Sequence, residues 1–273
     1  MIENKELEKI AATWRATCLR MSILGKHGHL SSSLCYIDIL VYLYKNWLNF
    51  EGTDDRVADK FLLSKGHGCT ALYVALADGG FIDKAALSTY AKPHSALQCH
   101  PCKHALNLLE NSSGSLGQAL GIASGIAIAQ KKEQKNSKIV VLMGDGETNE
   151  GSVWESAMFI KAQQLNNVVA IVDYNNVQAV GKTDEISGQT DLAEKFASFG
   201  WHVKTIDGNS FLEIADAFDE FDTITDKPKF LLAKTTAGID FIDKATDALW
   251  HYRIPSNDEY ELALKQLNAE PMV

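Results

Sequence analysis

KIVVLMGDGETNEG (138–151) and NVVAIVDYNN (167–176) overlap or flank the helically spaced stretch EGSVWESAMFIKAQQL (150–165). Both runs are rich in β-branched residues and continuously apolar rather than alternating, as expected of parallel strands covered on both faces. Strand, helix and strand then form a βαβ unit, for which a right-handed crossover is expected. Working outward, FLLS (61–64) reads as a further short strand. DLAEKFASFG (191–200) reads as a helix, 202–207 as a strand, 210–220 as a helix and KFLLAKTT (229–236) as a strand. The alternation predicts an α/β fold: a doubly wound, mainly parallel sheet with helices on both faces. Residues 4–24 place Leu7, Ile10, Ala11, Trp14, Cys18 and Met21 at helical spacing, predicting a helical N-terminal segment. SSSLCYIDILVYLYKNW (31–47) reads as one buried helix with serine at its cap. LGQALGIASGIAIAQKK (116–132) reads as a Gly- and Ala-rich helix suited to close packing on another helix or a neighbouring chain. No internal repeat, low-complexity tract or linker is visible, so residues 1–273 are expected to form a single domain.

Composition narrows the function. The 273 residues are 46% hydrophobic and 22% charged, a soluble globular balance. Lys+Arg 26 against Asp+Glu 35 gives a net charge of −9, and only Arg15, Arg20, Arg56 and Arg253 are arginines. Nucleic-acid affinity needs clustered cations, so this class is excluded. MIENKELEKI carries charges and no apolar core, so no secretory signal is expected, and no run approaches the length of a membrane span. Cys18, Cys35, Cys69, Cys99 and Cys102 are odd in number and read as free thiols of a reducing cytoplasm.

The chemistry centres on GDGETNEG (144–151), at the junction of a strand and a helix. Ligands of open α/β sheets sit beyond the carboxyl ends of the strands. Glycines let backbone approach a ligand, and a helix N-terminus offers unpaired N–H groups to an anion. Asp145 supplies a hard oxygen, and the next strand delivers Asn175 and Asn176 at its own carboxyl end. One carboxylate, one amide oxygen and a backbone carbonyl, completed by phosphate oxygens and water, suit Mg²⁺. A tight strand–helix turn with a surface Asp is the plainer alternative for GDG alone. No GxGxxG or GxxxxGK[ST] occurs.

Histidines mark four loops: GKHGHLSSS (His27, His29), SKGHG (His67), CHP (His100) and DALWHYRIP (His251), the last after the flexible-looking AGIDFIDKATD (237–247). Each alone fits a buried structural histidine; together with the GDG motif they point to one pocket. Cys99-His100-Pro101-Cys102 also reads as CxxC, but no second ligand pair for zinc and no thioredoxin-like context accompanies it.

In order and at similar spacing, HGHLSSSL, LSKGHG, HP…SSGSLGQALG, GDGETNEG…DYNN and a late WH resemble the N-terminal portion of transketolase, over most of residues 15–255. The resemblance implies thiamine diphosphate and Mg²⁺ (or Ca²⁺) as cofactors. It implies Asp145, Asn175 and the main-chain carbonyl of Val177 as metal ligands. His67, Gly114, Ser115, Leu116, Gly144, Asp145, Gly146, Glu147 and Asn175 would line the cofactor. His29, His67, His100 and His251 would be the catalytic histidines, and Glu150 and Glu155 would link active sites across a subunit interface. Leu30 and Ser31–Ser33 follow the first GH where the family usually has Gly or Pro, and Tyr252 follows His251 where it often has Gly. Both departures fall in loops that would face the substrate.

In transketolases a pyrimidine-binding domain follows in the same polypeptide, whereas this sequence stops at Val273. The resemblance therefore implies the diphosphate-binding subunit of a split transketolase. A separate C-terminal subunit would carry the pyrimidine-binding domain, with sugar phosphates as substrates. A heterotetramer is expected, or a homodimer of this chain in isolation, with no nucleic-acid or membrane partner. The α subunit of a 2-oxo acid dehydrogenase first component, a carboligase for a specialised sugar, and a non-catalytic cofactor-binding protein are the alternatives.

Overall fold

The computed structural model describes the chain except residues 51–57, 136, 189–190 and 246–247, and except the side chains of Ser187 and Ala248. In chain order the helices are α1 (Asn4–Gly25), α2 (Leu30–Leu34), α3 (Ile37–Tyr42), α4 (Cys69–Asp78), α5 (Ala119–Lys132), α6 (Gly151–Ala162), α7 (Thr183–Ser187), α8 (Leu192–Ser198), α9 (Phe211–Thr223), α10 (Asp240–Asp243) and α11 (Asn257–Leu267). The strands are β1 (Lys60–Leu63), β2 (Ile139–Gly144), β3 (Val168–Tyr174), β4 (Val177–Gln178), β5 (Gly181–Lys182), β6 (His202–Asp207) and β7 (Lys229–Lys234). Five of them form an all-parallel sheet in the order β1-β2-β3-β7-β6, and β4 and β5 form a small antiparallel hairpin.

The continuous apolar runs are explained by what covers them. Val140, Leu142, Val169, Ile171, Leu231 and Ala233 face one core with α1, α3, α4, α9 and α11. Their neighbours Ile139, Val141, Met143, Val168, Ala170, Val172 and Phe230 face the other with α5, α6 and α8. Period-2 alternation is thus present, but both faces are dry. Phe196 of α8 stacks on Phe230 at 3.8 Å between ring centroids. The chain steps from β1 to β2 to β3, jumps to the far edge at β6, and returns through α9 to β7. Direction of travel and helix-bearing face reverse together, so the crossovers through α6 and α9 share one hand.

Three expectations need correction. Residues 31–47 are not one helix: α2 and α3 are separated at Cys35–Tyr36, and Leu43–Trp47 is a π turn. The Ser32 carbonyl, which an unbroken helix would pair with the Tyr36 N–H, instead accepts from Lys65 Nζ at 2.6 Å. The Tyr36 hydroxyl donates to the Gly68 carbonyl at 2.7 Å. No serine caps this segment; His29, in the left-handed region at φ 63°, precedes α2. The helix expected from 116 begins at Ala119, because 114–117 form a loop that serves the cleft described below. In AGIDFIDKATD, Asp240–Asp243 is helical, with the Asp243 carboxylate accepting from the N–H groups of Ala237, Gly238 and Ile239. Thr246 and Asp247 of that stretch lie outside the described residues.

No helix among the described residues is long and apolar enough to cross a membrane. The five cysteines form no disulfide.

On the first core face Arg15 and Asp38 form a bidentate pair at 2.8 and 2.6 Å, both side chains 7% exposed. Arg15 also donates to the Ala237 carbonyl, and Asn209 to Asp38, so the pair ties α1 and α3 to the loops after β6 and β7. Replacing one partner of such a pair strands a buried charge. Asp38→Ala should therefore cost about 3–5 kcal/mol in urea unfolding, whereas Lys244→Ala, which breaks the exposed pair with Asp240, should leave the midpoint unchanged.

Candidate active site

The carboxyl ends of β1, β2 and β3 meet the loops after α1, before α5 and before α11 in a cleft with about 270 Å³ of water-accessible space. β2 ends at Gly144 and the chain turns through Asp145 and a short 3₁₀ segment into α6. Asp145 is 3% exposed. Its Oδ1 accepts from the Gly146 N–H at 2.8 Å and its Oδ2 from the Thr183 hydroxyl at 2.7 Å. Among the described residues no Lys or Arg pairs with it, and burial pushes its carboxyl up to about 6. A Cβ at Gly146 would press on the Gln178 side chain at 2.9 Å, so a larger residue there would push Gln178 of the β4–β5 hairpin aside.

β3 ends in Tyr174-Asn175-Asn176-Val177. Asn175 Oδ1 accepts from the Val177 N–H at 3.0 Å, and Asn176 is left-handed at φ 57°. Non-glycine residues seldom adopt this region, and such outliers concentrate at sites of function. The Tyr174 hydroxyl and the Asn176 side chain both hold Asp184 at the start of α7.

β1 leads into Ser64-Lys65-Gly66-His67-Gly68 and α4. Glu147, 2% exposed, ties this end to its neighbours: Oε1 accepts from the Ser64 hydroxyl and from the Gly117 N–H, Oε2 from the Gly144 N–H. One buried carboxylate thus joins the ends of β1 and β2 and the loop before α5. Burial raises its pKa, opposed by those three donors. In the same loop the Ser113 N–H donates to the Pro101 carbonyl, which holds the His100 loop against Gly114.

The four candidate histidines converge. His29 lies with its ring centroid 5.4 Å from His67, 6.3 Å from His100 and 5.2 Å from His251; His67 and His251 are 5.5 Å apart. Tyr252 stands edge-on to His29 and His251 at 4.8 Å. Gly28 packs so closely on the Tyr252 backbone that a Cβ would overlap its carbonyl, and Ser31 Oγ donates to the Trp250 carbonyl at 3.1 Å. Burial holds these imidazoles neutral. His29 is lowered to about 4 by burial and by His251, His27 and His100, His251 to about 4 by burial and by Lys65, and His67 to about 2 by burial and by Lys65; His100 is lowered by burial and by His27. His29 Nδ1 is buried without a hydrogen-bond partner among the described residues.

The cleft is lined by His29, His67, His100, Gly114, Leu116, Gly144, Asp145, Gly146, Glu147, Asn175, Val177 and His251. Ser115 does not line it. Glu150 and Glu155 sit outside, exposed at and just after the start of α6. The structure adds Lys65, which lines the cleft, and its buried ion-pair partner Asp173, with side chains 2% and 0% exposed. The signal was present in the sequence: a charge inside a strand dry on both faces must have a partner. Among the described residues no group of three or more His, Cys, Asp or Glu could hold a metal ion.

Comparisons agree with this geometry. Residues 8–271 match the family described as transketolase, thiamine diphosphate binding domain. A relative from Actinobacillus succinogenes, named as one subunit of an apulose-4-phosphate transketolase, is 37% identical over 270 residues, covering 97% of each chain. A 6-deoxy-6-sulfo-D-fructose transketolase subunit from a Clostridium is 36% identical over 81% of this chain and 82% of its own. Human transketolase is 34% identical over 92% of this chain, which spans 40% of that longer protein. The crystal structure of Campylobacter jejuni transketolase superposes with a TM-score of 0.90 at 26% identity, over 98% of this chain and 44% of that one. With motifs, sheet and cleft in agreement along nearly its whole length, the chain belongs to the transketolase family, as its thiamine diphosphate-binding domain.

Proposed function

We propose that this chain is the cofactor-binding subunit of a split transketolase, active when a second subunit completes the site. The observation that carries the reading is the convergence of Asp145, Asn175, Val177 and four neutral histidines on one cleft at the strand ends. Support for the second subunit comes from the relatives of matching length whose names call them subunits. Glu150 and Glu155, exposed on α6, are the residues proposed to face a neighbouring site across the subunit boundary.

The residues fit a magnesium-bound diphosphate. A buried carboxylate that no Lys or Arg pairs with among the described residues, an amide oxygen and a backbone carbonyl would form a hard-oxygen set, as Mg²⁺ requires. Asp145, Asn175 and the Val177 carbonyl would hold the metal. Gly114, Leu116, Gly144, Gly146 and His67 would hold the diphosphate, with the exposed Ser115 between the first two in the same loop. When bound, thiamine diphosphate supplies a nucleophilic carbon and a sink for the electron pair released as a carbon–carbon bond beside a ketose carbonyl breaks. Glu147 keeps the floor of the cleft in place through Ser64, Gly117 and Gly144. His29, His100 and His251, neutral at physiological pH, accept hydrogen bonds from sugar hydroxyls. His251 or His29 takes the proton of the hydroxyl on the carbon that leaves as an aldehyde. The two-carbon unit then passes to an aldose.

A specialised sugar as donor is favoured by three relatives that match this chain over four-fifths or more of both lengths, all named for uncommon sugars. Tyr252, 55% exposed at the cleft mouth beside His29 and His251, is placed to sort such donors. The reducing cytoplasm suits five unpaired thiols.

Ketol transfer should appear with thiamine diphosphate and Mg²⁺ only when this chain is mixed with the subunit encoded beside it. Xylulose 5-phosphate and apulose 4-phosphate are the donors to compare; activity of this chain alone would overturn the split-site reading. Asp145→Ala should abolish Mg²⁺-dependent binding of thiamine diphosphate, read by calorimetry, and an unchanged affinity would remove Asp145 from the metal site. The histidines set a pH dependence. Unfolded, they protonate near 6.5; folded, His29 and His251 resist until about 4. The unfolded chain therefore binds more protons in that window, so stability is full above about 6.5 and is lost as pH falls towards 4. Thermal melts of the cofactor-free chain should show Tm falling from pH 7 to 5, with a shallower fall in the His29→Gln/His251→Gln variant.

A further inference from the structure

Asp173 is 0% exposed at the end of a strand buried on both faces, yet the proposed chemistry makes no use of it. A charge in that position persists only if its oxygens are fully engaged. Oδ1 accepts from the Thr235 hydroxyl, and Oδ2 from Lys65 Nζ and, at 3.4 Å, from Asn175 Nδ2. Lys65 is itself fixed, donating to the Ser32 carbonyl and lying 4.5 Å over the Tyr36 ring. The carboxylate is therefore pinned from the ends of β1 and β7 before it meets Asn175.

A carboxamide is nearly symmetric in shape, so packing alone does not decide which end carries the oxygen. Its neighbours do. A carboxylate only accepts and a backbone N–H only donates. Asp173 on one side and the Val177 N–H on the other, at 3.0 Å, admit a single orientation, with Nδ2 toward Asp173 and Oδ1 toward the Val177 turn, whose residues line the cleft. A hard cation takes the oxygen and cannot use the nitrogen.

We propose that Asp173 is a positioning residue for the cation site, holding the Asn175 side chain with its oxygen rather than its nitrogen presented to the metal. The inference rests on the reading of the cleft as a magnesium–diphosphate site. Groups that orient a ligand from behind commonly contribute 10–100-fold to metal affinity.

The test is a double-mutant cycle on this chain mixed with the subunit encoded beside it, with Mg²⁺ titrated calorimetrically at fixed thiamine diphosphate and folding checked by circular dichroism. Asp173→Asn should weaken Mg²⁺ about 10–100-fold, because an amide at 173 no longer dictates the orientation of the next one. Made in the Asn175→Asp background it should have little effect, since a carboxylate at 175 offers oxygen whichever way it turns. A merely structural role would produce the same loss in both backgrounds, and that result would overturn the proposal, as would an unchanged affinity in Asp173→Asn. Should Asp173→Asn fail to fold, Lys65→Met/Asp173→Asn removes both buried charges together and carries the same two expectations. Absence of Mg²⁺ binding in the unaltered chain would instead refute the cation site itself, and the orienting role with it.

Discussion

Every strand of the main sheet runs the same way, and all but the edge strand β6 are dry on both faces, which leaves polar chemistry few places to go. Side chains along β2 and β3 are committed to two apolar cores, so hydrogen-bonding capacity accumulates where the strands stop. All of them stop on the same edge. Asp145, Asn175 and the loop carrying His67 come from stretches of chain far apart in sequence, and parallel pairing brings them together without any contact designed for that purpose. The histidines from the loops after α1 and before α11 then close over a floor the sheet has already built.

The electrostatics follow from the same dryness. Glu147, Asp173 and Asp38 are buried carboxylates, and each is satisfied by donors from at least two different segments. Such groups contribute little net stability, because desolvation offsets much of what pairing returns. What they fix is relative position. Asp145 is the exception, buried and, among the described residues, held by one hydroxyl and one N–H of its own turn, which makes it the carboxylate proposed to take an external cation. The histidines, crowded and partly desolvated, are acceptors and not cations at neutral pH.

Much of this was legible before any coordinates. The strands at 139–144 and 168–174 follow from continuous apolar runs rich in β-branched residues, those at 202–207 and 229–234 from the helix–strand alternation that continues beyond them, and the GDG and NN motifs mark the cleft because they fall where the first two runs end. What the pattern could not reveal is where a tertiary contact overrides a local one. The 31–47 stretch has helical spacing throughout, but a lysine arriving from β1 takes the Ser32 carbonyl and breaks it. Asp173 was visible as a letter in VVAIVDY, while its partners Lys65 and Thr235 lie 108 and 62 residues away and only the fold identifies them. Glu147 reads in sequence as one more residue of a glycine-rich turn, and the structure shows its carboxylate engaged within the chain.

The close approach of Gly28 to the Tyr252 backbone bears on how this site could be re-engineered or drift. Two loops that would face the substrate touch main chain to main chain, so no side chain can be wedged between them to widen the mouth. Their separation is in effect a constant of the scaffold. Variation in what the cleft admits must then come from swapping outward-facing side chains, Tyr252 foremost, while the spacing of His29 and His251 is inherited unchanged. A library confined to that one position would sample donor preference without reopening the question of whether the histidines still meet.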